Sequence, residues 1–127
     1  MCIYIGGVRL SRTEADGFTD SIQSVLNDET GRRLFKNFMI EINETEGVKK
    51  LNVYIQAINC TTYQGIDSLM SNAMKIEELD GDIIGQLIEA RTSRNGNLII
   101  KKIKEEIRNK LSPEYGMLQN NILNSLR

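Results

Sequence analysis

From Phe18 onward, apolar residues recur at intervals of three and four along almost the whole chain, and that period commits it to helices. Phe18, Ile22, Val25 and Leu26 share one face of a short helix. Asn27-Asp28 follows as a turn, with Asp28 placed to cap the next helix and Glu29 in its first turn. That helix sets Leu34, Phe35, Phe38, Met39 and Ile42 against Arg32, Arg33, Lys36 and Asn37, and ends in the polar loop Asn43 to Gly47. A third helix presents Val48, Leu51, Tyr54, Ile55 and Ile58, and Cys60 to Gly65 reads as a bend. Ile66, Leu69, Met70, Ala73 and Ile76 form a fourth stripe, which Asp80-Gly81-Asp82 breaks. Ile83, Ile84, Leu87 and Ile88 form a shorter fifth stripe, and Thr92 to Asn97 is a loop whose Asn-Gly pair tolerates positive φ. Ile99, Ile100, Ile103, Ile107 and Leu111 line the next helix. Ser112-Pro113 opens the last, with Ser as cap, Pro at the first position and Glu114 near the positive end of the dipole. Met117, Leu118, Ile122, Leu123 and Leu126 give it an apolar side. The expectation is an all-α domain of about seven helices over residues 18–127, preceded by an N-terminal arm, residues 1–17, in which Cys2-Ile-Tyr-Ile5 is extended.

Composition narrows function by exclusion. At 127 residues the chain suits one domain, and a net charge of −1 advertises no polyanion partner, so nucleic acid is not expected. The chain has no histidine, which removes Ser-His-Asp and Cys-His nucleophilic machinery and His-containing zinc sites. Cys2 and Cys60 are read as two thiols kept reduced in a cytosolic protein. No stretch approaches the ~18 apolar residues of a membrane span, and the N-terminal segment is too short for a signal peptide.

Motifs that carry chemistry fare poorly. Aligning Gly81 with the glycine of a calcium loop puts Ile76 and Leu87 at the first and twelfth positions, where carboxylates are needed. The lysines of Lys101-Lys102-Ile103-Lys104 are interrupted by Glu105 and Glu106 and have no aromatic neighbour on which a base could stack, so they read as a solvated face. Gly81 to Gly85 is an isolated GxxxG in polar surroundings, not a phosphate cradle. The paired carboxylates are ordinary, Glu44 and Glu46 in a loop, Glu77 and Glu78 on a helix and Glu105 and Glu106 beside lysines at helical spacing, and Cys60 has no activating neighbour in the sequence. No catalytic residue, cofactor or metal is expected, and the chain is not expected to be an enzyme.

The succession of segments resembles the regulator-of-G-protein-signalling (RGS) domain. Ile22 through Met39, with Gly31-Arg-Arg-Leu-Phe35, is similar to the family's short helix leading into "G-x-x-x-F-x-x-F-L", in the form seen in G-protein-coupled receptor kinases. Leu51 to Ile58 stands where the family has "N-L-x-F-W-L-A-x-E", and Ala73 to Leu79 resembles its "A-x-x-I-Y-x-x-F" helix. Ile100 to Ile107, Leu111-Ser112, Met117-Leu118 and Leu123 to Leu126 are similar to its paired final helices. The resemblance implies an antiparallel helical bundle whose interhelical loops grip the switch regions of an activated Gα subunit. Such a domain accelerates GTP hydrolysis without inserting an arginine, because Gα supplies its own and the contacts favour the transition-state arrangement.

Carried onto this chain, the implied Gα-binding residues are Glu44, Glu46, Lys50, Arg94, Asn95, Ser112 and Asn121. Several depart from the family. Lys50 stands where the family aims an Asn at the catalytic Gln of Gα, Tyr54 replaces its Trp, and the loop Asn43 to Gly47 is about three residues longer. Thr92-Ser93-Arg94-Asn95 matches a "T-S-R-N" stretch, and Asn121 occupies a basic position. The residues that build the fold match better than those that make contacts. The expected function is Gα binding with GTPase acceleration. The alternative is a non-catalytic RGS-like module that binds another protein. Either way the expectation is a monomeric cytoplasmic protein, which a Gα partner would bring to the inner face of the plasma membrane.

Overall fold

The computed structural model describes residues 2–60, 63–76, 81–94 and 96–126. They form β1 (Cys2–Ile5), β2 (Val8–Ser11), α1 (Arg12–Phe18), α2 (Ile22–Leu26), α3 (Glu29–Glu41), α4 (Thr45–Ile58), α5 (Tyr63–Met74), α6 (Gly81–Thr92), α7 (Gly96–Lys110) and α8 (Ser112–Ser125). The chain is mostly helical, as its periodicity requires. It divides into two compact units, residues 1–48 with 111–127 and residues 49–110.

The first unit contains the largest departure from the expected layout. Residues 1–17 are not an arm. Ile3, Ile5, Val8 and Leu10 alternate with exposed Tyr4 and Arg9, so the segment folds as a hairpin with one buried face. Its two strands pair antiparallel, Ile5 opposite Val8. Gly6 and Gly7 make the turn at φ 55° and 74°, the left-handed pair that a two-residue hairpin needs. Asn37 Nδ2 donates to the Gly6 carbonyl at 3.0 Å. A Cβ on Gly6 would stand 2.9 Å from that of Asn37.

Ser11 then caps α1 in a reciprocal capping box with Glu14. The helix expected around Phe18 is two: Phe18 ends α1, and Ser21 caps α2 by accepting from the Ser24 amide. Asp28 caps α3 as its position suggests, accepting from the amides of Thr30 and Gly31. Gly31 lets α2 and α3 touch, since a Cβ there would lie 2.5 Å from the Val25 carbonyl oxygen. The core of this unit gathers Leu10, Ala15, Val25, Leu26, Leu34, Phe35, Met39, Leu118 and Ile122. Phe35 meets Tyr115 edge to face at 6.5 Å.

The second unit holds α5, α6, α7 and most of α4. Leu69, Met70, Ala73 and Ile76 are buried at the expected spacing, as are Ile99, Ile103 and Ile107. Gly96 sits against Ile66 with no room for a side chain. Asp67 pairs with Arg91 at 2.9 Å, and Lys104 lies 5.8 Å from the ring centre of Tyr54. On α6, Leu87 and Ala90 face inward while Ile88 is exposed, so the buried stripe is narrower than its apolar residues suggest. Cys60 is a reduced, half-buried thiol. The side chain of Cys2 lies outside what is described, as do Thr61-Thr62 of the expected bend and Glu77 to Asp80 of the expected acidic break.

Candidate functional site

Of the residues expected to face a partner, Glu44, Glu46, Arg94 and Ser112 lie at three helix junctions. Between α3 and α4 the polar loop is shorter than its composition suggests, because Thr45 already begins α4. Asn43 turns the chain at φ 60°. Its amide donates to the Ile40 carbonyl and that of Glu44 to the Met39 carbonyl, the paired closure of a helix ending on a left-handed residue. Glu44 is half-buried, and its carbonyl accepts from the Val48 amide at 3.1 Å, the first bond of α4. Glu46 is half-buried in the first turn, with Oε2 enclosed. A carboxylate in that turn is stabilised by the positive end of the helix dipole.

Lys50 is placed differently from its expectation. It is 0% exposed, and its Nζ donates to the carbonyl of Lys110 at 2.8 Å. Lys110 is the last residue of α7, where carbonyls have no acceptor role inside the helix and the dipole is negative. The ammonium therefore closes the end of a helix and is not offered at a surface. The expected face of α4, Val48-Leu51-Tyr54-Ile55-Ile58, is shifted: the buried residues are Gly47, Lys50, Leu51, Val53, Tyr54 and Ala57, and Ile58 is exposed. Counting Lys as polar hid this, since its four-carbon stem packs like an apolar side chain.

At the α6–α7 junction Arg94 is exposed and holds φ 57°, ending α6 with its amide on the Arg91 carbonyl. Among the described residues of this loop, positive φ falls at Arg94. Asn95 itself lies outside the described residues.

At the start of α8 the expected serine cap is absent. Leu111 occupies the cap position with helical angles and no side-chain cap, and Ser112 is the first helical residue, exposed. Glu114 in this first turn is only 6% exposed, which the sequence reading did not anticipate. Its Cγ would lie 3.3 Å from a Cβ on Gly47, so the first turns of α4 and α8 are neighbours. The structure thus brings Glu44 and Glu46 near the start of α8. Asn121 lies nine residues beyond Ser112, about 13.5 Å along the helix, and is exposed. Further inside this unit, Tyr115 Oη donates to the Phe18 carbonyl at 2.8 Å and Gln119 Nε2 to that of Thr19 at 2.7 Å. Burial, and secondarily the charge of Asp20, raises the Tyr115 phenol above its ordinary value.

Clefts open among the described residues of the unit 49–110. One, of about 310 Å³, lies between α6 and α7, where Glu89 and Lys102 share the lining and Lys102 Nζ donates to Gln86 Oε1 at 2.8 Å. The other, of about 270 Å³, is lined by Lys49, Asn52, Val53 and Gln56 of α4, by Asn72 of α5, and by Lys75 and Ile76 just after it. Sequence reasoning passed over this second cleft. Its signal is Lys49, Asn52 and Gln56 at helical spacing on α4.

Among the described residues, no group of three or more His, Cys, Asp or Glu side chains is placed to hold a metal ion. No described helix is long and apolar enough to cross a membrane. Comparison with protein-family models, with curated proteins and with solved structures finds no match.

Proposed function

We propose that this chain is a non-catalytic helical module that recognises another protein, the second of the two functions its RGS-like segment order implies. The observation that carries the reading is Lys50. The resembled family uses this position to orient the catalytic Gln of Gα, whereas here the side chain is enclosed and bonded to the end of α7. A group held inside the fold has no differential contact to make with a transition state, so the means of acceleration is lost while the scaffold remains.

The outer face of α8 supports recognition of a protein. Residues 115–126 carry no charged side chain in a chain that is 26% charged. Met117 and Leu123 are each 41% exposed there, beside exposed Asn120, Asn121 and Asn124. Depletion of charge with exposed Met is the composition of an interface centre. Binding to Gα subunits in GDP, GTP-analogue and GDP–aluminium fluoride forms, with single-turnover GTP hydrolysis alongside, tests the reading. Binding without preference for the fluoride form and without acceleration is the expected result. A marked preference for the fluoride form together with faster hydrolysis would restore the accelerator function and overturn this one.

A further inference from the structure

We infer that the outer edge of β1 pairs with the same edge of a second copy of this chain, joining two hairpins into one sheet. The surface involved is not the outer face of α8, so the inference stands apart from the reading above.

The hairpin's own geometry sets which main-chain groups face outward. Gly6 and Gly7 form a two-residue turn with positive φ, so Ile5 and Val8 exchange the closing pair of bonds. Bonded and non-bonded pairs alternate along an antiparallel ladder, which makes Tyr4 and Arg9 a non-bonded pair. Their N–H and C=O groups point away from each other, those of Tyr4 to the outer edge of β1 and those of Arg9 to that of β2. Among the described residues, nothing outside the hairpin bonds the main chain of Tyr4. Buried main-chain groups are almost always paired, so this donor and acceptor face water, in keeping with the 68% exposure of the residue.

The two edges differ in what they offer. β2 carries Arg9, its Ser11 amide already donates to Glu14 Oε1 at 3.0 Å, and the chain turns into α1 at Arg12. A charge, an occupied donor and an early turn all keep an edge from pairing. β1, Cys2-Ile-Tyr-Ile5, has no charge, proline or bulge, and Ile3, Tyr4 and Ile5 favour strands.

The partner that matches this edge is an uncharged strand with the same outward donor and acceptor, and β1 is one. Set antiparallel about a two-fold axis with Ile3 facing its counterpart, Tyr4 of each copy lies opposite Cys2 of the other. That register exchanges about four main-chain bonds and sets no charged side chain of β1 against itself. The buried row of Leu10 and Ile3 then continues across the axis into its copy. Because the β2 edges are protected, association closes at two copies and does not grow into a fibre. A four-residue edge buries well under the ~1,200 Å² of a stable interface, so the dimer is weak and concentration-dependent.

The test is a dilution series of the isotope-labelled full chain from about 1 mM to about 10 μM, following amide shifts and hydrogen exchange. The Tyr4 amide is expected to shift and to exchange more slowly as concentration rises, while that of Arg9 does neither. Tyr4→Pro removes the outward donor without removing a bond of the hairpin, and is expected to weaken association at least about tenfold. Tyr4→Thr keeps the donor and is expected to associate like the wild type. If Tyr4→Pro misfolds, Tyr4→Lys sets like charges across the axis at an exposed position and is expected to weaken association in the same direction. A Tyr4 amide indifferent to concentration, a dimer that survives Tyr4→Pro, a dimer whose shifts fall on Met117 and Asn121 instead, or growth beyond two copies would each overturn the inference.

Discussion

The two units use polar groups in opposite ways. In the unit of residues 1–48 and 111–127, side chains tie backbone carbonyls across the sequence: Tyr115 to Phe18, Gln119 to Thr19 and Asn37 to Gly6. Its early helices also start from side-chain caps at Ser11, Ser21 and Asp28. In the unit 49–110 the described polar contacts mostly join side chains to each other near the surface, as in Arg91–Asp67, Lys102–Gln86 and Gln56–Asn72. Among the described contacts of this unit Lys50 differs, a buried ammonium on a helix-end carbonyl. Buried bonds to backbone fix where a segment lies, whereas exposed side-chain pairs are exchanged for water at little cost. Polar mutations should therefore register strongly in the first unit and, outside Lys50, weakly in the second.

The largest expected effect tests the exception. Lys50→Glu places a carboxylate against the negative end of α7 and should cost about 3–5 kcal/mol in chemical denaturation, whereas Lys50→Met, which keeps the packing of the stem but removes the donor to the Lys110 carbonyl, should cost about 1–3 kcal/mol. Equal tolerance of both would mean that the second unit has no polar anchor. Next is Gly31→Ala, expected to lose about 1–3 kcal/mol because the new methyl meets the Val25 backbone. A stabilised variant would show that α2 can move away from α3.

Tyr115→Phe should cost about 1 kcal/mol through the lost bond to Phe18. It also carries a pH signature. The folded phenol ionises above the ordinary value of 10.0, so its contribution is complete below that pH and falls as pH rises toward the folded value. Denaturation midpoints of the wild type should decline across that alkaline window more than those of Tyr115→Phe. Parallel curves would place the phenol outside the buried network. The smallest effect is Arg91→Ala, expected to change stability by at most about 0.5 kcal/mol, because both partners of its ion pair are about half exposed. A loss comparable to that of Tyr115→Phe would break the contrast between the units.

Much of the helical layout was legible, because amphipathic stripes such as Ile99-Ile103-Ile107 and the Asp28 cap are local signals. The hairpin was missed although Gly6-Gly7 between alternating apolar residues is a hairpin signature, since four-residue strands are too short to outweigh a dominant helical period. The Ser11–Glu14 capping box was legible too, but lay inside a segment read as an arm. Helix ends were harder. Asn43 and Arg94 take left-handed angles for reasons of chain direction, and Ser112 does not cap because α8 begins directly after Leu111. Least legible was the site. Whether Lys50 points out or in depends on which helix end meets it, and the α4–α5 groove exists only once two distant stretches are side by side.

The hydrogen bond between Tyr115 and Phe18 joins residues 97 apart, which bears on the order of events during synthesis. At translation rates of about 5–20 residues per second, the partner of Phe18 emerges about 5–20 s after Phe18 itself. Residues 49–110, by contrast, are contiguous and can gather as they are made. Through that interval Leu34, Phe35 and Met39 lack the helix that completes their core, so the nascent chain exposes this apolar face early and covers it late.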